Sequence, residues 1–189
     1  PSPAPAFGAV FSPNWNGGRG AITWFKPGAL PVGAVTARNS LVGVFAEDFV
    51  GADQDESFSN GMFPLPTGNF VLTTPGFNSN AGAITFLNVS RGLPVGTINS
   101  GNSFIGAPGD GIGNRDIVSL GGDRVLIVSS NATVNGFANA GRIDLLDGSK
   151  TQAVDAINFD GNLNDDLAVS IPAVVNFLNS GGTLTLQAS

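Results

Sequence analysis

The stretch of this sequence richest in chemically useful side chains is an acidic loop within residues 160–169. Oxygen-bearing side chains occupy every second position there: Asp160, Asn162, Asn164 and Asp166. Calcium binds about six to eight hard oxygen ligands, and alternate positions of a tight loop can converge on one ion. Two interpretations stay open. One is a calcium-binding loop, and the other is a solvated turn whose side chains accept hydrogen bonds from local backbone N–H groups.

Asp53, Asp55 and Glu56 form a second acidic cluster, with Glu47 and Asp48 nearby. Metal binding would use the same oxygen chemistry, but runs of acidic residues are typical of loops that face water. We therefore predict that this cluster is a solvated acidic loop.

Trp15 is the candidate ligand-binding side chain, because carbohydrate-binding proteins often present an aromatic face beside Asn and Asp. It stands between Asn14 and Asn16 in a turn-rich segment. Trp24, the other tryptophan, occupies a strand position that other copies of the same motif fill with Phe or Leu, so we predict that it is buried. For Trp15, glycan contact and packing against the protein stay open.

Cysteine and histidine are both absent from the 189 residues. The chain therefore forms no disulfide, no Cys/His zinc site and no Ser–His–Asp triad. Its two lysines, Lys26 and Lys150, stand in no Ser–Lys motif. The adjacent acids Asp165 and Asp166 would point to opposite faces of an extended chain, which does not suit a glycosidase pair. We expect no enzymatic activity.

The charge of the chain excludes further partners. The net charge is −6 at pH 7 and the isoelectric point is near 4.3, so phosphate is repelled and nucleic acid is an unsuitable ligand.

No apolar run approaches the roughly 18 residues of a membrane-spanning helix. Pro1 in place of an initiator Met indicates a processed product or an excised fragment.

An internal repeat with an offset of 62 to 63 residues organises the chain. The strongest matches join residues 20–24 to 82–86, 30–33 to 93–96, and 39–43 to 102–106. A third, degenerate copy aligns residues 122–126 with 68–72, and residues 140–145 with 81–86. Self-similarity of this period is typical of proteins built from one repeated supersecondary unit.

Each copy of the repeat predicts short strands between turns. Ile22 and Trp24 alternate with small or polar residues, and the other copies keep this alternation at Ile84/Phe86 and Ile143/Leu145. We predict that this face is buried. Continuous apolar runs at residues 70–72 and 125–128 predict strands covered on both faces. Asn-Gly and Asp-Gly pairs supply the turns, so the predicted class is all-β.

A repeated unit of about 60 residues with about four strands is typical of a propeller blade. We predict a β-repeat domain at residues 1–149, with copies at about 7–64, 65–116 and 117–149. Residues 150–189 are predicted to hold the acidic loop and a terminal strand. So few copies cannot close a propeller, so an open β-solenoid and a sheet completed by neighbouring chains stay open.

Several of these motifs resemble the repeats of large secreted bacterial exoproteins, the filamentous-haemagglutinin-like adhesins. The segments that carry the resemblance are residues 12–16, 20–24, 39–43, 48–51 and 68–72. Residues 177–188 resemble the opening of the β-helical stretches in those proteins. Residues 160–169 resemble the calcium loop of FG-GAP propeller repeats.

The resemblance implies an extracellular or bacterial cell-surface location and a structural or adhesive role in a surface or biofilm matrix. Two alternative functions stay open: a self-assembling filament subunit that forms a homo-polymer, and a carbohydrate-binding module that uses Trp15. The family's repeat carries no catalytic residue, which agrees with the expectation of no enzyme.

Overall fold

Short strands and tight turns make up most of the chain that the computed structural model describes, which is residues 7–52, 61–114 and 117–148. These segments form eleven β-strands and two four-residue helical turns, α1 (Trp15–Gly18) and α2 (Phe77–Asn80). Both helical turns contain residues with left-handed backbone angles, so they are tight reversals of the chain. The predicted all-β repeat class is confirmed.

The strands pair into three small sheets. Sheet 1 contains β1 (Gly8–Ser12), β2 (Ala21–Phe25), β3 (Ser40–Val42) and β7 (Gly96–Thr97). Sheet 2 contains β4 (Met62–Pro64), β5 (Phe70–Thr74), β6 (Ala83–Leu87) and β8 (Phe104–Ile105). Sheet 3 contains β9 (Ile117–Ser119), β10 (Arg124–Ser129) and β11 (Arg142–Asp147). Within the described residues these sheets close into no barrel.

The same β-hairpin occurs once in each sheet. The pairs nearest its turn are Ser12 with Ala21, Thr74 with Ala83, and Ser129 with Arg142. We name the segments around the three hairpins repeat 1 (residues 7–52), repeat 2 (residues 61–114) and repeat 3 (residues 117–148). Strand β7 of repeat 2 pairs in parallel with β3 of repeat 1, so one sheet contains strands from two repeats.

One alignment made from the sequence is wrong by one residue. Matching residues 122–126 to 68–72 places Arg124 at the position of Phe70. In the sheets, Phe70 pairs with Leu87 and its counterpart is Val125, which pairs with Leu146. The Gly-Asn and Gly-Asp pairs that guided the match precede the strands, and their spacing to the strand differs by one residue. The error matters because shifting the register of a strand by one residue assigns all of its side chains to the opposite face.

Successive sheets stack face to face. We call the face towards the preceding repeat the front face and the face towards the following repeat the back face. Sheet 2 contributes Leu72 and Leu87 to a core shared with sheet 1, and Val71 and Ile84 to a core shared with sheet 3. Neighbouring residues of a strand point to opposite faces, so the run at residues 70–72 is covered on both sides, as predicted.

The alternation within residues 20–24 correctly predicts burial of one face of the strand, but it does not predict burial on the other face. Ile22 and Ile84 are fully buried, as predicted. Thr23 is buried as well, and its hydroxyl forms a hydrogen bond with the Ser40 hydroxyl at 2.7 Å. Thr85 repeats this contact with Ser103 at 2.6 Å. A satisfied hydroxyl can therefore occupy a buried strand position that the pattern assigns to solvent.

Sheet 3 departs from the prediction of burial on its back face. Ile143 and Leu145, the counterparts of Ile22 and Trp24, are only half-buried. The same holds for Leu126 and Val128 on the neighbouring strand. Within the described residues no further sheet packs on this side, whereas sheets 1 and 2 each have one.

Gly82 lies where the last loop of repeat 2 returns to its hairpin. It forms a parallel bridge with Ile112, and its φ is 78°. An added Cβ would lie 2.2 Å from the Ile112 carbonyl oxygen. Gly20 has the same role in repeat 1, where its φ is 75° and its partner is Val50. Only glycine allows both this conformation and this approach.

We expect Gly82→Ala to lower the free energy of unfolding by about 2 to 4 kcal/mol, because it adds a clash with Ile112 to the left-handed strain. Gly28→Ala is the matched control, since Gly28 has a φ of 85° with no atom near its would-be Cβ. That variant should lose about 1 kcal/mol. Urea unfolding measures both, and equal losses would contradict an energetic role for the close approach.

Candidate functional site at the junctions between repeats

Asp48 is a buried carboxylate at the junction between repeats 1 and 2, with its side chain 1% exposed. Its Oδ2 accepts hydrogen bonds from the backbone N–H groups of Val44 and Phe45 at 2.7 and 2.8 Å. Its Oδ1 accepts a hydrogen bond from the N–H of Asn78 in α2 at 2.8 Å. One side chain thus ties the loop of repeat 1 to the hairpin turn of repeat 2.

Asp110 repeats this arrangement at the next junction and is also 1% exposed. Its Oδ2 accepts from the N–H of Ala107 at 2.9 Å, and its Oδ1 accepts from the N–H of Thr133 at 3.3 Å. Thr133 belongs to the hairpin turn of repeat 3. Hydrogen bonds to an ionised carboxylate are stronger than those between neutral groups. We call Asp48 and Asp110 the Asp clamps.

The solvated loop predicted at Asp53, Asp55 and Glu56 stays a prediction, and Asp48 near it belongs to a different arrangement. Glu47 beside it is exposed, while Asp48 is buried, and residues 53–60 lie outside the described residues. The signal that identifies the clamp is its recurrence, because Asp48 matches Asp110 at the repeat offset. The counterpart of Glu47 is Gly109, so that acid is not part of the repeat.

Repeat 3 adds a charged cluster to the second Asp clamp. Arg142 Nη1 lies 3.1 Å from Asp110 Oδ2, and Arg142 Nε donates to Asp144 Oδ2 at 2.9 Å. Repeats 1 and 2 have an Ala/Thr pair at the positions of Arg142 and Asp144, namely Ala21/Thr23 and Ala83/Thr85. Arg142 therefore compensates the charge of two buried carboxylates.

Asp144 is fully buried, and within the described residues its Oδ1 has no hydrogen-bond partner. Burial raises the pKa of Asp144 above its ordinary value of 3.8, and the nearby charge of Asp110 adds to the rise. The hydrogen bond and charge of Arg142 act in the opposite direction. Ionised Asp144 therefore destabilises the fold, and this cost is relieved as the pH falls towards 3.8.

Aromatic contacts complete the first junction. The Trp24 indole Nε1 donates to the Pro94 carbonyl oxygen of repeat 2 at 2.8 Å. The ring of Phe7 packs edge-to-face against Trp24 and Phe70, with centroid distances of 5.7 and 5.6 Å. Trp24 is partly buried against the first core, in agreement with its predicted packing role.

Trp15, predicted either to contact a glycan or to pack, is half-buried in α1. Its counterpart Phe77 is 4% exposed and belongs to the core between sheets 1 and 2. Phe77 has a preceding repeat to pack on, and in the described segments Trp15 has none. Glycan contact at Trp15 stays a prediction.

The calcium-loop residues Asp160, Asn162, Asn164 and Asp166 lie outside the described residues, so calcium binding stays a prediction. The terminal strand predicted within residues 150–189 lies outside them too. In the part of the chain that is described, no group of three or more His, Cys, Asp or Glu side chains could hold a metal ion. The described segments also contain no helix with the length and apolar character needed to cross a membrane.

A family model described as "Repeat of unknown function (DUF5650)" matches residues 9–52 and 64–114, together just over half of the chain. The chain belongs to this repeat family. Each match contains one Asp clamp, Asp48 in the first and Asp110 in the second. The match supports the predicted repeat architecture. No curated protein and no solved structure matches the chain.

We expect Asp48→Asn to lower the free energy of unfolding by about 2 to 4 kcal/mol, because an amide keeps one acceptor oxygen and turns N–H donors towards backbone N–H groups. Glu47→Gln is the matched control, since it removes the same charge from an exposed neighbour and should change stability by less than about 0.5 kcal/mol. Thermal and urea unfolding followed by circular dichroism measure both. If Asp48→Asn lowered the free energy of unfolding as little as Glu47→Gln does, the assigned stabilising role of Asp48 would be contradicted.

We expect Arg142→Ala to cost about 3 to 5 kcal/mol, because it leaves Asp110 and Asp144 buried without their cation. The double variant Arg142→Ala/Asp144→Thr restores the Ala/Thr pair of repeats 1 and 2 and should recover at least half of this loss. A double variant no more stable than the single one would contradict the assigned role of Arg142.

The pH dependence gives an independent readout of the same cluster. The folded pKa of Asp144 is raised, so wild-type stability should fall relative to Asp144→Thr, which keeps Arg142 beside Asp110, as the pH rises from about 3.8 towards neutral. Urea unfolding at a series of pH values measures this difference, and a difference that grows in the opposite direction would exclude Asp144 as its source.

Proposed function

We propose that this chain is a non-enzymatic structural segment of an extracellular surface or matrix protein, in which stacked β-repeats form a rigid spacer that supports adhesion. The observation that carries the proposal is that each of the two Asp clamps joins successive repeats. Asp48 and Asp110 each bind backbone N–H groups of two successive repeats. These two buried carboxylates of the described residues are thus engaged in holding repeats together.

A mechanical role is supported by the three different contacts that cross the first junction. The Asp48 clamp joins loop to turn, the β3–β7 pairing joins backbone to backbone, and the core between sheets 1 and 2 excludes water. A force applied along the chain would have to break these contacts together. Repeat arrays of this kind gain stability from such nearest-neighbour interfaces.

The proposed location rests on the resemblance of the repeat motifs to filamentous-haemagglutinin-like adhesins. Those proteins are secreted and act at bacterial surfaces, and a spacer with an adhesive role fits that setting. The absence of cysteine is compatible with a chain that crosses the cell envelope before it folds.

Single-molecule pulling on the two ends of the chain tests the structural role. We expect repeats 1 and 2 to unfold in one step, because they share a core and a clamp. Asp48→Asn should lower the unfolding force or split the step in two, whereas Glu47→Gln should behave like the wild type.

Two outcomes would contradict the proposal. Wild-type repeats that unfold one at a time, at forces no higher than those of Asp48→Asn, would contradict a rigid spacer. If an antibody against this chain labelled the cells that produce it only after permeabilisation, the surface location would be contradicted.

A further inference from the structure

The hairpin turn of repeat 3 is longer than its two counterparts. The closing pair of the hairpin encloses eight residues in repeat 1 (13–20) and eight in repeat 2 (75–82). In repeat 3 the closing pair encloses twelve residues (130–141). Repeat 3 therefore carries four residues in this turn that the other two repeats lack.

The four extra residues can be located within the turn. Thr133 is the counterpart of Asn78, because each donates its backbone N–H to an Asp clamp. Residues 139–141 match residues 80–82, since both segments read Asn-Ala-Gly. Five residues, 134–138, lie between these points in repeat 3, whereas one residue lies between them in repeat 2. The insertion therefore falls within residues 134–138.

Residues 134–137 form a small hairpin of their own, which we call the tip. Val134 and Phe137 are joined by two backbone hydrogen bonds, of 3.1 and 2.9 Å. Asn135 and Gly136 between them have φ values of 51° and 83°. An Asn-Gly pair with two positive φ values is a favoured two-residue connection of β-hairpins. The insertion is thus a defined turn that extends the hairpin of repeat 3.

The tip presents an aromatic side chain to solvent. Phe137 is 73% exposed. The position of this turn that packs into a core is already filled, because Ala132, the counterpart of Phe77, is fully buried. Within the described residues the stack therefore does not use Phe137 for packing.

The tip also lies away from the surfaces through which repeats contact one another. It extends past the end of β10 and the start of β11, so it occupies neither the front face nor the back face of sheet 3. In repeat 2 the last loop of the repeat binds the turn at the carbonyl oxygens of Asn80 and Ala81. The counterparts of these two residues are Asn139 and Ala140, which lie outside the tip.

The chemistry around Phe137 favours an uncharged ligand that is rich in hydroxyl groups. No residue from 129 to 141 is charged. The exposed polar side chains beside the tip include two amides and a hydroxyl, those of Asn131, Asn135 and Thr133. An amide donates and accepts hydrogen bonds, as sugar hydroxyl groups require, and an aromatic face packs against the C–H groups of a sugar ring. Aromatic residues combined with Asn, Ser and Gly are also typical of antibody recognition loops.

We propose that the tip binds a neutral carbohydrate, with the Phe137 ring stacked on a sugar and the Asn135 amide hydrogen-bonded to its hydroxyl groups. The proposal rests on the adhesive role proposed above and supplies its ligand class. It places the ligand at an insertion that only repeat 3 carries, while the repeated parts of the turn hold the stack together.

Binding of the complete 189-residue chain to an array of neutral and acidic oligosaccharides tests the proposal. We expect binding to neutral members of the array. Phe137→Ala should weaken this binding about tenfold or more, because it removes the stacking ring. Phe45→Ala is the matched control, since Phe45 is 50% exposed in repeat 1, and it should bind like the wild type.

A loop exchange removes the tip while keeping the turn beneath it. Replacing residues 133–138 by Asn-Ser gives repeat 3 the turn of repeat 2, in which Asn78 and Ser79 occupy these positions. The backbone N–H group that Asp110 binds is retained. We expect this variant to keep the circular-dichroism spectrum and a melting temperature close to that of the wild type, and to lose binding to the array.

Four results would overturn the inference. The first is a wild-type chain that binds no neutral oligosaccharide, and the second is equal binding by the wild type and the loop-exchange variant. The third is binding that Trp15→Ala abolishes and Phe137→Ala leaves intact, which would assign the ligand to Trp15. The fourth is self-association in light scattering that Phe137→Ala removes, which would make a second copy the partner of the tip. Unfolding of repeats 1 and 2 in one step under force does not involve the tip, so a failed array leaves the spacer role intact.

Discussion

The structure depends on a carboxylate that is removed from water and placed where two repeats meet. Asp48 and Asp110 each satisfy the loop that carries them and reach one N–H group of the following hairpin turn. A buried carboxylate without such partners would cost far more than any single contact in the fold contributes. One group therefore joins the loop of each repeat to the hairpin turn of the next, beside the cores that successive sheets share.

Repeat 3 shows how this arrangement tolerates change. The Ala/Thr pair of the first two repeats becomes Arg142 and Asp144, and the new arginine contacts both the new acid and the existing clamp. An added charge is thus accommodated by an added counter-charge on the same strand, two residues away, where strand geometry places both side chains on one face. The exchange carries a cost, because burial of Asp144 opposes its ionisation.

Much of the fold could be predicted from the sequence, because the periodicity of Ile22/Trp24 and Ile84/Phe86 and the matched Gly and Asx residues encode strands and turns directly. The buried Thr23 could not be predicted, since its hydroxyl is satisfied by Ser40, which strand pairing brings beside it. Asp48 was concealed among unrepeated acids, although its recurrence as Asp110 distinguishes it. The register of Val125 was missed because loop residues match more strongly than the strand does. Burial at the two ends of the stack depends on neighbours, which local sequence does not specify.

Each Asp clamp accepts a hydrogen bond from a main-chain N–H group of the neighbouring hairpin turn, and within the described residues only Asp110 also contacts a side chain of the next repeat, that of Arg142. Asn78 and Thr133 offer their N–H groups to the two clamps and have unrelated side chains. The side chain at this position of the hairpin turn can therefore differ between repeats without loss of the clamp's hydrogen bond, provided that the turn keeps the same backbone course. The turn side chains of such an array are free to change while the main-chain hydrogen bond at each joint is kept.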